Sequence, residues 1–108
     1  MVKSKINVGI LEAVQKYIEK VSEYYNIDYV ILFGSYAKGT NHEDSDIDIA
    51  VVSNDFTDTF DDGVKLAKLT MDIDLRIEPH AIKTEDFHIV DTPLVYEIIN
   101  TGVELYAA

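Results

Sequence analysis

Three short stretches of this chain carry residues whose types and spacing could do chemistry: Gly34-Ser35, Asp44-Ser-Asp46-Ile-Asp48 and Asp72-Ile-Asp74. A Gly-Ser pair directly after the apolar run Tyr29-Val-Ile-Leu-Phe33 can offer backbone N–H groups and a hydroxyl to a phosphate, with no Cβ at position 34 to keep the backbone away. Taken alone, such a pair is more often an ordinary turn. Aspartates at alternate positions share one face of an extended chain, and hard oxygen ligands gathered in this way suit Mg2+ or Mn2+. Any single aspartate on a strand usually just faces solvent. Several converging at one end of a sheet repel one another and ask for a cation or a proton between them. His42, His80 and His88 show no paired spacing for zinc, so surface or loop roles are expected for each.

Three better-known motifs fail at particular residues. Gly34 and Gly39 have P-loop spacing, but Thr40-Asn41 stands where Lys-Ser/Thr must follow, so the lysine that reaches the phosphates is missing. The dinucleotide fingerprint fails at Tyr36. The run from Asp44 begins like a calcium loop, but Ile49 occupies the glycine position and Asp55 the place of the bidentate Glu.

The elements that must hold these residues follow from apolar periodicity. Ile10, Leu11, Val14, Tyr17, Ile18, Val21 and Tyr25 recur at three- and four-residue steps and predict an amphipathic helix from Val8 to Tyr25. The Tyr29–Phe33 run, cut off at Gly34, predicts a buried first strand. Strict alternation from Asp46 to Val52 predicts a second, with Asp46 and Asp48 on one face and Ile47, Ile49 and Val51 on the other. Phe56 to Leu69 reads as a helix weakened by Gly63. Met71 to Ile77 alternates again and predicts a third strand ending at Pro79, with Asp72, Asp74, Arg76 and Glu78 on one face. Thr84-Glu-Asp-Phe suggests a helical turn, Thr92-Pro93 opens a helix that runs to Asn100 and stops near Gly102, and Val103 to Tyr106 forms a closing strand.

The link between the first two strands is too short for a parallel crossover, so they should run antiparallel; the helix before the third strand is long enough to make it parallel to the second. Gly34-Ser35, the Asp46-Asp48 pair and the start of the third strand then meet at one end of the sheet. The expected class is α+β, a mixed sheet of about four strands with helices packed on it, in a single domain spanning 1–108. The chain has 108 residues, too few to divide into two stable cores.

Composition narrows the partners. Apolar residues make up 47% and charged residues 27%, a globular balance, and the net charge of −11 works against binding a long nucleic acid. There is no Cys, which excludes disulfides, thiolate metal sites and cysteine nucleophiles. MVKSKINVGI lacks the apolar core of a secretion signal and no apolar run suggests a membrane helix, so the expectation is a cytoplasmic protein.

Gly34-Ser-Tyr-Ala-Lys-Gly39, a short spacer and Asp44-Ser-Asp46-Ile-Asp48 resemble the signature of the polymerase β nucleotidyltransferase superfamily, and most of the chain resembles its minimal nucleotidyltransferases. Glu97-Ile-Ile-Asn-Thr-Gly-Val-Glu-Leu-Tyr106 looks like their closing helix and strand. The resemblance implies that Gly34 and Ser35, with Lys38 nearby, bind the triphosphate of ATP or another nucleoside triphosphate. It implies that Asp46 and Asp48 hold Mg2+ (or Mn2+) and that a third carboxylate lies on a later strand, with Asp74 the nearest match and Asp72 the fallback. The implied activity is transfer of a nucleoside monophosphate, AMP from ATP, to a hydroxyl such as a partner protein's tyrosine. A HEPN-type helical partner is also implied, in a homo- or hetero-oligomer. Two other readings are an antitoxin-like protein that acts by occlusion and a nucleotide-binding domain without catalysis.

Overall fold

The computed structural model describes residues 6–90 and 92–108. The elements are α1 (Val8–Val21), β1 (Tyr29–Phe33), α2 (Ser35–Lys38), β2 (Ile47–Ser53), α3 (Thr59–Lys68), β3 (Ile77–Lys83), α4 (Thr84–His88), α5 (Pro93–Thr101) and β4 (Val103–Ala107). The four strands form one sheet in the order β3-β2-β1-β4. β1 runs antiparallel to both β2 and β4, while β2 and β3 are parallel; the short β1–β2 link requires the first antiparallel pair and the α3 crossover allows the parallel one. The class is α+β, with helices on both faces of a four-stranded mixed sheet.

Strand alternation divides the core. Ile47, Ile49 and Val51 of β2 turn to the face that receives Val14, Tyr17 and Ile18 of α1 and Leu66 of α3. The Tyr17 hydroxyl donates to the Leu66 carbonyl at 2.6 Å and ties those two helices together; burial pushes this phenol's pKa up. Ala50 and Val52 turn to the other face, with Ile31, Phe33, Ile82, Val95 and Ile98. Asp48 belongs to this second series, so it emerges at the end of the smaller core.

Helix ends follow local hydrogen bonding. The Asn7 side chain accepts from the N–H groups of Gly9 and Ile10 and starts α1. That helix stops at Val21, short of the expected Tyr25, because Tyr24 and Tyr25 both turn their N–H groups back onto the Val21 carbonyl. Asp58 caps α3 by accepting from Phe60 and Asp61, which leaves Phe56 outside the helix, edge-on to the Tyr25 ring at 4.9 Å. Thr92 accepts from Val95 N–H with Pro93 in the first turn of α5, as its sequence predicts. Gly102 ends that helix with extended backbone and not a left-handed cap. A Cβ there would lie 2.4 Å from the Ile98 carbonyl and 2.5 Å from Ile31, so glycine serves close approach to β1.

The third strand is displaced from its expected position. Residues Met71 to Asp74 do not extend; Thr70, Met71, Ile73 and Asp74 continue in turns from the end of α3, bonding back to Ala67, Lys68 and, for the last two, Thr70. β3 begins only at Ile77 and contains Pro79, where the sequence pattern predicts its end. Pro79 is tolerated because β3 is an edge strand, with β2 on one side only.

Candidate active site

The site is assembled where β1 ends. Gly34 takes φ 75°, ψ −152°, and a Cβ built there would stand 2.6 Å from Asp48 Oδ2. Phe33 and Asp48 are register partners, so the Asp48 carboxylate lies across the turn that follows β1. Any side chain at 34 would collide with it and would also be strained at that φ. The glycine turn and the acidic strand are thus in direct contact.

α2 leaves this turn. Lys38 N–H bonds to the Gly34 carbonyl at 3.1 Å and Thr40 N–H to the Ser35 carbonyl at 3.0 Å. Ser35 is half-buried in the first turn of α2. Lys38 is exposed and its ammonium reaches Glu97 of α5 at 3.5 Å, a contact that costs little to exchange for a ligand anion.

Asp46 is exposed immediately before β2, and Asp48 is half-buried within it. Because β2 and β3 are parallel and in register, Asp48 faces Glu78 and Ala50 faces His80. His80 Nε2 lies 3.4 Å from Asp48 Oδ1 and 3.7 Å from Glu78 Oε1. Donor atoms from Asp48, Glu78 and His80 all fall within 4.8 Å of one another. Hydrogen bonding with Asp48, burial and repulsion from the same carboxylate raise the Glu78 pKa above its ordinary value, with His80 pulling the other way. Carboxylates crowded in this way repel one another and are a donor set a divalent cation fits, since the cation supplies the compensating charge.

Asp74 and Asp72 are placed elsewhere. Asp74 Oδ1 accepts from Arg76 N–H at 2.9 Å, closing an Asx-type turn, and its carboxylate is gripped by the Arg76 guanidinium at 3.1 and 2.8 Å. That hydrogen bonding holds the Asp74 carboxyl below its ordinary value. Asp72 is exposed and pairs with Lys20 of α1. Asp74 was the expected third carboxylate and Asp72 the fallback, but the register sets Glu78 beside Asp48. His80, expected to have only a surface or loop role, joins the cluster. The signal for both was present, since Glu78, His80 and Ile82 alternate with Ile77, Pro79 and Ala81; reading Pro79 as a stop hid it.

A glycine turn between strand and helix, an antiparallel acidic strand across it and a carboxylate on the adjoining parallel strand define a nucleotidyltransferase-type domain. The family described as Polymerase beta, Nucleotidyltransferase matches residues 15–108, and the chain belongs to it. It is 29% identical over 102 residues to MJ0141 of Methanocaldococcus jannaschii, a candidate protein adenylyltransferase, covering 89% of this chain and 98% of that protein. It is 31% identical over 80 residues to the protein adenylyltransferase MntA of Shewanella oneidensis, covering 74% of this chain but 54% of MntA, so the match spans about half of that relative. A toxin–antitoxin crystal structure with AMP-PNP contains a similar chain, at TM-score 0.65 and 26% identity, covering 91% of this chain and 73% of that one. Among the described residues, no helix is long and apolar enough to cross a membrane.

Proposed function

We propose that this chain is a protein adenylyltransferase that moves AMP from ATP to a hydroxyl acceptor, a tyrosine of a HEPN-type helical partner. The observation that carries the reading is the contact between the Gly34 turn and the Asp48 carboxylate, which puts a phosphate-binding backbone and a cation-binding side chain against each other. The naming of MJ0141 and MntA as adenylyltransferases, one of them as a candidate, and the AMP-PNP in the similar toxin–antitoxin complex support ATP as donor and a protein as acceptor.

In this reading the Gly34 backbone, the Ser35 hydroxyl and Lys38 bind the triphosphate, and Asp46, Asp48 and Glu78 hold Mg2+ or Mn2+, with Glu78 taking the part expected of Asp74. When bound, the cation neutralises triphosphate charge and lowers the pKa of the acceptor hydroxyl. The acceptor oxygen attacks the α-phosphorus, the bond to the bridging oxygen breaks and pyrophosphate leaves in line. Asp48 or Glu78, which only accept when ionised, would take up the hydroxyl proton.

The toxin–antitoxin setting of the similar chain also favours occlusion, in which binding alone neutralises a partner. The net charge of −11 would suit a basic one. Replacing Asp46 and Asp48 together by Asn separates the two: modification should vanish while occlusion persists. Incubation with Mg2+, α-labelled ATP and the protein that co-purifies with this chain should add the mass of one or more AMP groups to that partner. Label on no protein, this chain included, would sink the transfer reading.

A further inference from the structure

We infer that His80 is a nitrogen ligand of the cation site and that it makes the site prefer Mn2+ over Mg2+. The inference rests on the proposed reading in one respect, that Asp48 and Glu78 hold a divalent cation.

The geometry is that of a shared ligand shell. Two donors about 2.1 Å from one ion stand about 3.0 Å apart at a right angle and about 3.4 Å apart at the tetrahedral angle. His80 Nε2 stands 3.4 Å from Asp48 Oδ1 and 3.7 Å from Glu78 Oε1, close enough that small rotations bring all three onto one ion. The ring does not reach there by chance. It packs against Phe33 with centroids 5.1 Å apart, and its register partner across the sheet is Ala50, whose single methyl leaves the imidazole room beside β2. Glu78 and His80 sit two residues apart on β3 and therefore project from the same face as Asp48.

A mixed oxygen and nitrogen set changes the choice of metal. Mg2+ keeps its water and takes carboxylates, seldom imidazole, whereas first-row divalent ions accept imidazole nitrogen readily. Mn2+ is the first-row ion whose octahedral, oxygen-rich preferences otherwise match Mg2+, so it suits two carboxylates and one histidine. His80 thereby sets which cation accompanies the nucleotide.

The test reads the ion and not the reaction. Metal-free protein is titrated calorimetrically with MnCl2 and with MgCl2, and the Mn2+ form is studied by electron spin-echo modulation, which detects a directly bound 14N. The expected results are 14N coupling in the wild type, its loss in His80→Ala, and Mn2+ affinity weakened by about tenfold or more while Mg2+ affinity changes by less than about threefold. His80→Gln, which keeps volume beside Phe33 and offers no ring nitrogen, repeats the test should the alanine variant fold poorly. Wild-type Mn2+ without 14N coupling, or equal losses for both ions, overturns the assignment. The two readings fail separately: adenylyl transfer without nitrogen coupling removes His80 and leaves the reaction, while nitrogen coupling without transfer leaves His80 and removes the reaction.

Discussion

The tripeptide Asp-Ile-Asp occurs twice in this chain, at 46–48 and at 72–74, and folds in two different ways. At 46–48 it enters β2: Ile47 is fully buried, its N–H bonds to the Arg76 carbonyl at 2.8 Å, and Asp48 is carried into the site. At 72–74 it lies in turns, with Ile73 and Asp74 both bonding back to Thr70 and each carboxylate spent on a nearby cation, Lys20 or Arg76. What differs is the flank. Ile49-Ala50-Val51-Val52 continues the first copy with residues that pack on both faces of a central strand, whereas Leu75-Arg76 continues the second with an exposed leucine and a partner for the preceding aspartate. The same tripeptide opens a strand and brings Asp48 to Glu78 and His80 in one setting, and forms a turn in the other.

The largest effect should separate the acidic cluster that Asp48 joins from the turn that holds Asp74. Glu78→Gln should lower AMP transfer by about a hundredfold or more, while Asp74→Asn stays within about threefold of wild type, both read as incorporation of α-labelled ATP. The reverse ranking would return the third carboxylate to Asp74 and break the contrast.

A second pair of variants tests why the first copy sits where it does. Gly34→Ala forces a Cβ to within 2.6 Å of Asp48 Oδ2 at positive φ and should destabilise the fold by about 1–3 kcal/mol. Gly63→Ala, in mid-helix with nothing within 4 Å of the new methyl, should stabilise it by about 0.5–1 kcal/mol. Thermal denaturation of both decides it; equal shifts would mean that the Gly34 contact does not constrain the turn.

The smallest effect concerns the second copy. Hydrogen bonding with Arg76 lowers the Asp74 pKa, so the pair stabilises the fold fully above the unfolded-state value of about 3.9 and loses that contribution as pH falls through the lower folded-state value. Asp74→Asn should therefore cost about 1 kcal/mol or less at pH 7, and its Tm should converge with the wild type in acid. A gap that widened on acidification would contradict the pairing.

The fold was legible in the sequence wherever composition alone sets an element. β1 appears at its expected bounds because a continuous apolar run is cut by a glycine, and α5 starts where Thr92-Pro93 says it should. The convergence of β1, β2 and β3 at one end of the sheet was also legible, because connection length decides strand direction. Which carboxylate of the third strand lies beside Asp48 was not. Met71 to Ile77 has the alternation of a strand, and what prevents one is the Asp74 side chain bonding the Arg76 N–H and guanidinium, a local competition that periodicity does not register. Pro79 compounded the error, since only the sheet order reveals that its strand lies at the edge. Parity nonetheless survived the displacement: Glu78 was on the expected face, four residues further along.

The Asp48 carboxylate occupies the space that a side chain at position 34 would fill, and this bears on how the domain can be rebuilt. The acidic strand is not a portable cassette. Grafted into another sheet without a glycine at the end of the neighbouring antiparallel strand, its inner aspartate would have nowhere to lie. Conversely, a glycine turn joined to a different second strand would leave a hollow where the carboxylate belongs. The two sequence blocks, separated by the whole of α2 and its loop, form one interlocked part, and substitutions at either are best designed together with the other.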